Sequence, residues 1–450
     1  MELVKFRDQL FIEGEKLGFS DIELYYEKSS NFSCQIFKGE IDGYESSTVG
    51  GVSVRGLYNG KMGYAYTEKL DEDSIKFLLE NAKENAQLIE DDPEELFAGN
   101  AKYEEVNFFS PALTEVSAED KIAFLKDVEK KVLAYDPRVD QVDFAVIQDE
   151  SSEKALFNNK GLALSDQNNF LFVAVSALVK EGEEIKNGMC IKLTKDFTSL
   201  NADEIAKTAV EEALSYLGGK TYPNKKYPVI LKNTAVASLL AVFAPSFSAE
   251  AVQKGQSLLK GKLGETIASD KVTLLDDPFL PEGIKSSTFD SEGVPTKKLT
   301  VVENGKLNSY FYNLKTAKKD GVESTGHGYK SSYKGTVGVT PSNFYIEPAE
   351  SSYEQLYSSL EEGIIITELA GLHSGANQIS GDFSLMAYGY YVKEGKIEGA
   401  TNLMTIAGNF FEVLRDVEEV GSDLKFSPMG GYGYIGSPSL KIKSIAVTVD

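Results

Sequence analysis

The chain has 450 residues and a formal net charge of -23, with 46 lysines and arginines against 69 aspartates and glutamates, 42% apolar residues and 26% charged ones. At roughly 150 residues per domain this is enough for two or three packed domains, and the acidic excess excludes nucleic acid and anionic membrane surfaces as expected partners. Cys34 and Cys190 are far apart without CxxC spacing, and no apolar run approaches the roughly 20 residues that span a bilayer, so a soluble, cytoplasmic protein with reduced cysteines is expected.

Residues 1 to 18 put Leu3, Phe6, Leu10 and Phe11 on one helical face, and Gly18 can end that helix. A β-rich block follows, in which Asn59-Gly60 between alternating runs predicts a hairpin with a type I′ turn. Residues 73 to 90 read as an amphipathic helix. A second helix is predicted over 117 to 135, with Ser117 as N-cap and Ile122, Leu125, Val128 and Val132 as its buried stripe. Strands come next, then a helix from Ala202 to Leu217, capped by Asn201 and ended by Gly218-Gly219.

"KTYPNKKYPVILKN", with two prolines and a lysine cluster, is the best linker candidate. The stretch after it predicts a helix, a break at Pro245, and a helix again. From Lys271 the pattern is mostly strands and hairpins, including Asn304-Gly305 and Glu394-Gly395, with short helices near 351 to 361 and 409 to 418. Without regular βα alternation the expected class is α+β, antiparallel and mixed sheets flanked by helices. The expected domains are an N-terminal α+β domain at 1–108, a central α+β domain at 109–222, and a β-rich C-terminal domain at 223–450.

Most catalytic motifs fail on context. "GYGYIG", Gly431 to Gly436, matches GxGxxG but is followed by a strand pattern where a dinucleotide site needs a helix. "GQSLLKGKL", Gly255 to Leu263, has five residues between its glycines where a phosphate loop has four, and reads as an amphipathic helix with wet lysines. Asp276-Asp277 precedes a proline and reads as a turn-forming pair. There is no HExxH and no GxSxG, and the two histidines, His327 and His373, are 45 intervening residues apart, so no helical zinc pair exists. Both sit in Gly/Ser-rich loops, "GVESTGHGYKSSYKG" and "TELAGLHSGANQISGDFSL", of the kind that approaches a ligand closely.

Four stretches of the C-terminal half, "KGQSLLKGKLGETIASDKVTLLDDP", "FDSEGVPTKKLTVVENGKLNSY", "SGDFSLMAYGYYVKEGKIEGATNLMTIAGNFFEVL" and "GSPSLKIKSIAVT", together resemble the TldD/PmbA peptidase family, historically named modulators of DNA gyrase. "GGVSVRGLYNGKMGYAYTEKL" is similar to that family's N-terminal hairpin, so the resemblance covers nearly the whole chain in order. The TldD-like branch carries an HExxxH helix whose histidines bind zinc with a distant cysteine. Counting back from the shared "LGETIASDK" block puts the first His position at Leu240, the Glu position at Ala241 and the second His position at Pro245. The region of the third ligand corresponds to "FSPMGGYGYIGSP", which has no cysteine.

The resemblance therefore implies the other branch, PmbA, also called TldE. It implies a metal-free, catalytically degenerate subunit that joins a TldD-like partner in a protease of unfolded peptides, with zinc expected only in that partner and a homodimer left open in its absence. Peptide or partner contacts are then expected at His373, Ser374, Gly375, Asn377, Ser380, Asp382, His327, Gly430 and Gly431. Two alternatives stand beside this reading: a self-sufficient peptidase using His373 with Asp382 or Glu368, and a non-enzymatic regulator binding gyrase or toxin-type proteins.

Overall fold

The computed structural model describes residues 1–89, 97–427 and 432–449, so the contacts expected at Gly430 and Gly431 lie outside the described residues. The fold is α+β. Its N-terminal half is one six-stranded antiparallel sheet, ordered Lys61–Thr67, Glu40–Tyr58, Phe19–Phe37, Val139–Asn158, Ala163–Glu181, Glu184–Thr194. The expected boundary at 108/109 crosses this sheet, because Phe19–Phe37 pairs with Val139–Asn158 continuously from Glu23↔Asn158 to Ile36↔Ala145.

The helices follow from their caps and stripes. Leu3–Lys16 buries Phe6 and Leu10, and Glu72–Leu88 starts where Asp71 accepts from the backbone N–H of Ser74; both pack on the first half of the sheet. Ala118–Tyr135 starts at Ser117, which accepts from Asp120 N–H, and buries Leu125, Val128 and Val132. Ala202–Ser215 starts at Asn201, and the two cover the second half. Asn59 and Gly60 take φ of 52° and 77°, the left-handed pair that a type I′ turn requires.

The C-terminal half holds two further layers. One is a six-stranded sheet ordered Lys306–Leu307, Leu299–Glu303, Leu274–Asp276, Asn343–Ile346, Tyr434–Ser437, Lys425–Ser427. The other closes on itself as a five-stranded barrel of Glu362–Ala370, Lys225–Leu231, Leu440–Val449, Met404–Asn409 and Asp382–Lys393, the last pairing back onto the first. The helix Asn233–Phe243 lies between the layers, with Leu239, Leu240 and Phe243 in the shared core.

Two expectations are corrected here. The linker candidate is a linker only in its first part: Lys225–Leu231 is an inner barrel strand, paired on both sides, because Tyr227, Val229 and Leu231 alternate into the core. Pro228 is tolerated there because the ladder to Leu440–Val449 is irregular at that point, between Ile442 and Ile445, so a missing N–H breaks no regular pair. Residues 255 to 263 form turns instead of an amphipathic helix, since Gly255 and Gly261 take φ of 72° and 75° and end helical geometry.

Candidate functional site

A cleft of about 1760 Å³ separates the far end of the N-terminal sheet from the C-terminal half. One wall is Met189, Ile191, Lys192 and Leu193 of the last sheet strand, with Thr208 and Glu212 of the helix behind it. The opposite wall is Leu424 to Ser427, with Tyr432 and Tyr434. Side chains of successive strand residues point to opposite faces, so a strand that lines a cleft with consecutive residues presents its edge to it. Both edges are terminal: Glu184–Thr194 pairs only with Ala163–Glu181, and Lys425–Ser427 only with Tyr434–Ser437, among the described residues. The outer edge of Glu184–Thr194 thus flanks the cleft without a neighbouring strand among the described residues, and Glu212 takes its Met189 N–H.

The floor comes from the helix Asn233–Phe243, which turns Thr234, Ser238, Ala241 and Val242 into the cleft, with Pro245 just beyond. Of the counted HExxxH positions, Ala241 and Pro245 line the cleft, whereas Leu240 is fully buried in the core and faces away. None of the three side chains carries a donor atom. Among the described residues no three His, Cys, Asp or Glu side chains come together to hold a metal, so the residues present do not fit a zinc ion at this place.

The roof is the loop 371–381. His373, Ser374, Gly375, Asn377 and Asp382 all line the cleft. The loop is internally braced: Asn377 N–H donates to Asp382 O at 2.8 Å, Gly381 N–H to Asn377 O at 2.9 Å, and Asn377 Oδ1 accepts from Ile379 and Ser380 N–H. Asn409 Nδ2 donates to Ser380 O and to Asp382 Oδ1, which with the Ser380 hydroxyl holds the Asp382 carboxyl below its usual range. Asn377 Oδ1 and Ser380 Oγ therefore shape the loop, and Ser380 does not line the cleft. Gly375 is obligatory for close approach, since a Cβ there would sit 2.3 Å from Ser384 O. His373 is exposed and hydrogen-bonds to no described residue, so it forms no dyad with Asp382 or Glu368.

His327 is corrected. It is 2% exposed, its Nε2 lies 3.0 Å from Asp276 Oδ2 and its Nδ1 lies 2.8 Å from Thr325 Oγ1, with Phe311 against the ring. It cannot touch a ligand from there. Asp276 is likewise no turn residue: it is buried and also accepts from Ser342 N–H and Oγ–H, and only Asp277 braces the turn, by accepting from Phe279 N–H.

Of the charged groups of the cleft, the sequence names Glu368 and Asp382 as candidates, while Glu212, Lys192, Lys232 and Lys425 escape it. Glu368 is pushed above the usual carboxylate range by burial and then by the nearby Glu212, whose carboxylate accepts from Met189 N–H at 2.8 Å. Lys192 pairs with Glu204 at 2.6 Å. Lys232 and Lys425 also line the cleft. These residues come from segments far apart in the chain, and a solitary lysine or glutamate carries no motif that could have marked them. The inner end of the cleft is closed by a seam in which Tyr216 stacks on Tyr390 at 5.8 Å and its hydroxyl shares a 2.7 Å hydrogen bond with Thr367.

Sequence and structure comparisons bear on this arrangement together. The family patterns described as PmbA/TldA metallopeptidase domain 1, central domain and C-terminal domain match residues 22–86, 111–217 and 224–449. The metalloprotease PmbA of Escherichia coli O157:H7 is 25% identical over 433 residues, covering 94% of this chain and 93% of that protein. A crystal structure from Thermotoga maritima, described as a candidate modulator of a DNA gyrase, superposes with a TM-score of 0.92 at 35% identity, covering 99% of this chain and 100% of that one. The structure of TldE from Thermococcus kodakarensis shares the fold, with a TM-score of 0.91 at 24% identity over 98% of this chain and 100% of that one. With three family patterns matched in order over most of its length, the chain belongs to the PmbA/TldD metallopeptidase family.

Proposed function

We propose that the chain is a TldE-type subunit of a TldD/TldE protease, metal-free and without catalytic groups of its own, which binds extended, unfolded peptide in the cleft and presents it to a TldD-like partner that carries the zinc. The carrying observation is the cleft itself: the outer edge of Glu184–Thr194, without a strand partner among the described residues, lines a cleft whose floor carries Ala241 and Pro245 at two of the counted HExxxH positions, with the third, Leu240, buried behind it. An extended peptide adds to such an edge through main-chain hydrogen bonds, which bind backbone with little regard for sequence. A floor lined by Ala241, Val242 and Pro245 offers packing and no chemistry.

The decisive experiment is reconstitution. The chain alone is expected to bind an unstructured peptide, to hold no stoichiometric transition metal by elemental analysis, and to cleave nothing; mixed with a TldD-like protein it is expected to form one stable complex that cleaves. Chelator-resistant cleavage by the chain alone would refute this reading in favour of a self-sufficient peptidase. Capture of gyrase or a toxin-type protein, with no complex to a TldD-like protein, would refute it in favour of a regulator.

A further inference from the structure

The edge of Glu184–Thr194 that borders the cleft has two sides of different chemistry. Glu181 and Glu184 face each other across the tight turn at Gly182-Glu183, and the ladder runs without a bulge from there to Leu171↔Thr194. Residues flanking a two-residue turn form a hydrogen-bonded pair, and such pairs recur at every second residue. Even-numbered residues of this strand therefore turn N–H and C=O towards Ala163–Glu181, and odd-numbered residues turn theirs to the open side. Met189 follows that rule, since its N–H reaches the Glu212 carboxylate instead of a strand. At Ile191 and Leu193 no described residue takes the outward N–H or C=O.

The side chains alternate in the same rhythm. Gly188 and Cys190 face the helix Ala202–Ser215: a Cβ on Gly188 would sit 2.3 Å from Ala213 N, and Cys190 belongs to the core beneath that helix. Met189, Ile191 and Leu193 consequently stand on the opposite face, half-buried, as an apolar row along the cleft. On the helix side the cleft shows Lys192, Thr208 and Glu212. A strand laid against this edge places every second side chain opposite the apolar row and the ones between on the polar side, because directly opposed residues share a face.

We propose that this edge selects peptides in which apolar and polar residues alternate, with Met189, Ile191 and Leu193 as the specificity-determining row. Such alternation is the mark of a half-buried β-strand, so the ligand class is the β segment laid bare when a protein unfolds. The inference rests on the peptide-binding reading of the cleft and adds a choice of sequence to it.

The test uses the full chain and three dye-labelled unstructured peptides of one composition, compared by fluorescence anisotropy. In one, apolar and polar residues alternate; in the second, the apolar residues are grouped in the middle; the third is the alternating peptide N-methylated throughout. With three cross-strand pairs at stake, the alternating peptide is expected to bind about tenfold tighter than the grouped one, and N-methylation to abolish binding. The Ile191→Gln/Leu193→Gln variant, checked for an unchanged circular dichroism spectrum and melting curve, is expected to lose the preference; should it fail that check, Met189→Gln alone is expected to weaken it. Equal binding of the alternating and grouped peptides, or a preference that survives in the variants, would overturn the selection while leaving peptide binding intact. Retained binding of the N-methylated peptide would overturn pairing with the edge, and absence of binding to every peptide would overturn the cleft reading itself.

Discussion

Among the places where the N-terminal half meets the C-terminal half, two treat charge in opposite ways. At one, Arg55 is fully enclosed, giving Nε and Nη2 to the Glu23 carboxylate at 2.8 and 2.9 Å and Nη1 to Glu292 at 3.3 Å. Asp290 there accepts three backbone N–H groups, and Lys330 reaches Ser53 Oγ at 3.1 Å. At the other, the cleft, Lys232 and Lys425 make no side-chain hydrogen bond or ion pair among the described residues, and the outer edge of Glu184–Thr194 has no neighbouring strand there. A buried charge is tolerated only when its hydrogen bonds are supplied, so the first contact is structural, whereas the groups left available at the second are the ones free to act on another molecule.

The contrast breaks first, and by the largest amount, at Arg55. Arg55→Met removes the guanidinium hydrogen bonds that satisfy the buried carboxyls of Glu23 and Glu292, and urea unfolding is expected to show a loss of about 3–5 kcal/mol, against less than about 0.5 kcal/mol for Lys232→Met in the cleft. Comparable losses for the two variants would dissolve the distinction. Next comes pH. Burial pushes the Asp290 carboxyl up and the charge of Glu292 adds to it, while burial likewise pushes Glu292 up against the pull of Arg55. An acid whose folded pKa is raised keeps its proton in the folded state, so its stabilisation is present at low pH and lost as pH rises. Unfolding free energy is therefore expected to fall between about pH 5 and 7.5, and Asp290→Asn to flatten that slope. Lys330, pushed down to about 8 by burial, works the other way only at higher pH.

Smaller effects belong to the cleft roof. Gly375→Ala drives a methyl group against Ser384 O, costing about 1–3 kcal/mol of local packing, and is expected to weaken peptide affinity more than it lowers the melting temperature. His373→Ala is expected to do least: unchanged zinc in the reconstituted complex and peptide turnover reduced by less than about tenfold. Loss of zinc on that substitution would make the histidine a ligand.

What the sequence disclosed follows the range of the interactions that decide it. Caps and turns are local, and Asp120 N–H on Ser117, the Asn201 cap and the Asn59-Gly60 turn were all legible. The glycines and short polar residues around His373 mark a loop, and the structure places that loop along the cleft. Lys225–Leu231 was misjudged because its lysines and Pro228 are local marks of a linker, while its inner position in the barrel is set by partners more than 130 residues away. His327 was misjudged for a related reason: its loop is rich in glycine and serine, yet Asp276, 51 residues earlier, draws the ring inside. Lys232 and Lys425 come to line one cleft only through the layering of the sheets.

The segment joining the two halves has a further consequence. Lys220 N–H donates to Ala400 O at 3.1 Å and Lys220 O accepts from Asn402 N–H at 2.9 Å, so the crossing chain is stitched to the barrel just beyond the Tyr216–Tyr390 stack. With this stitch at one end and the Arg55 network elsewhere along the same contact, the halves are tied at separated points. Under the proposed function the gap then acts by its width: a single extended strand enters and a folded domain is turned away by its girth, without any energy spent on recognising it.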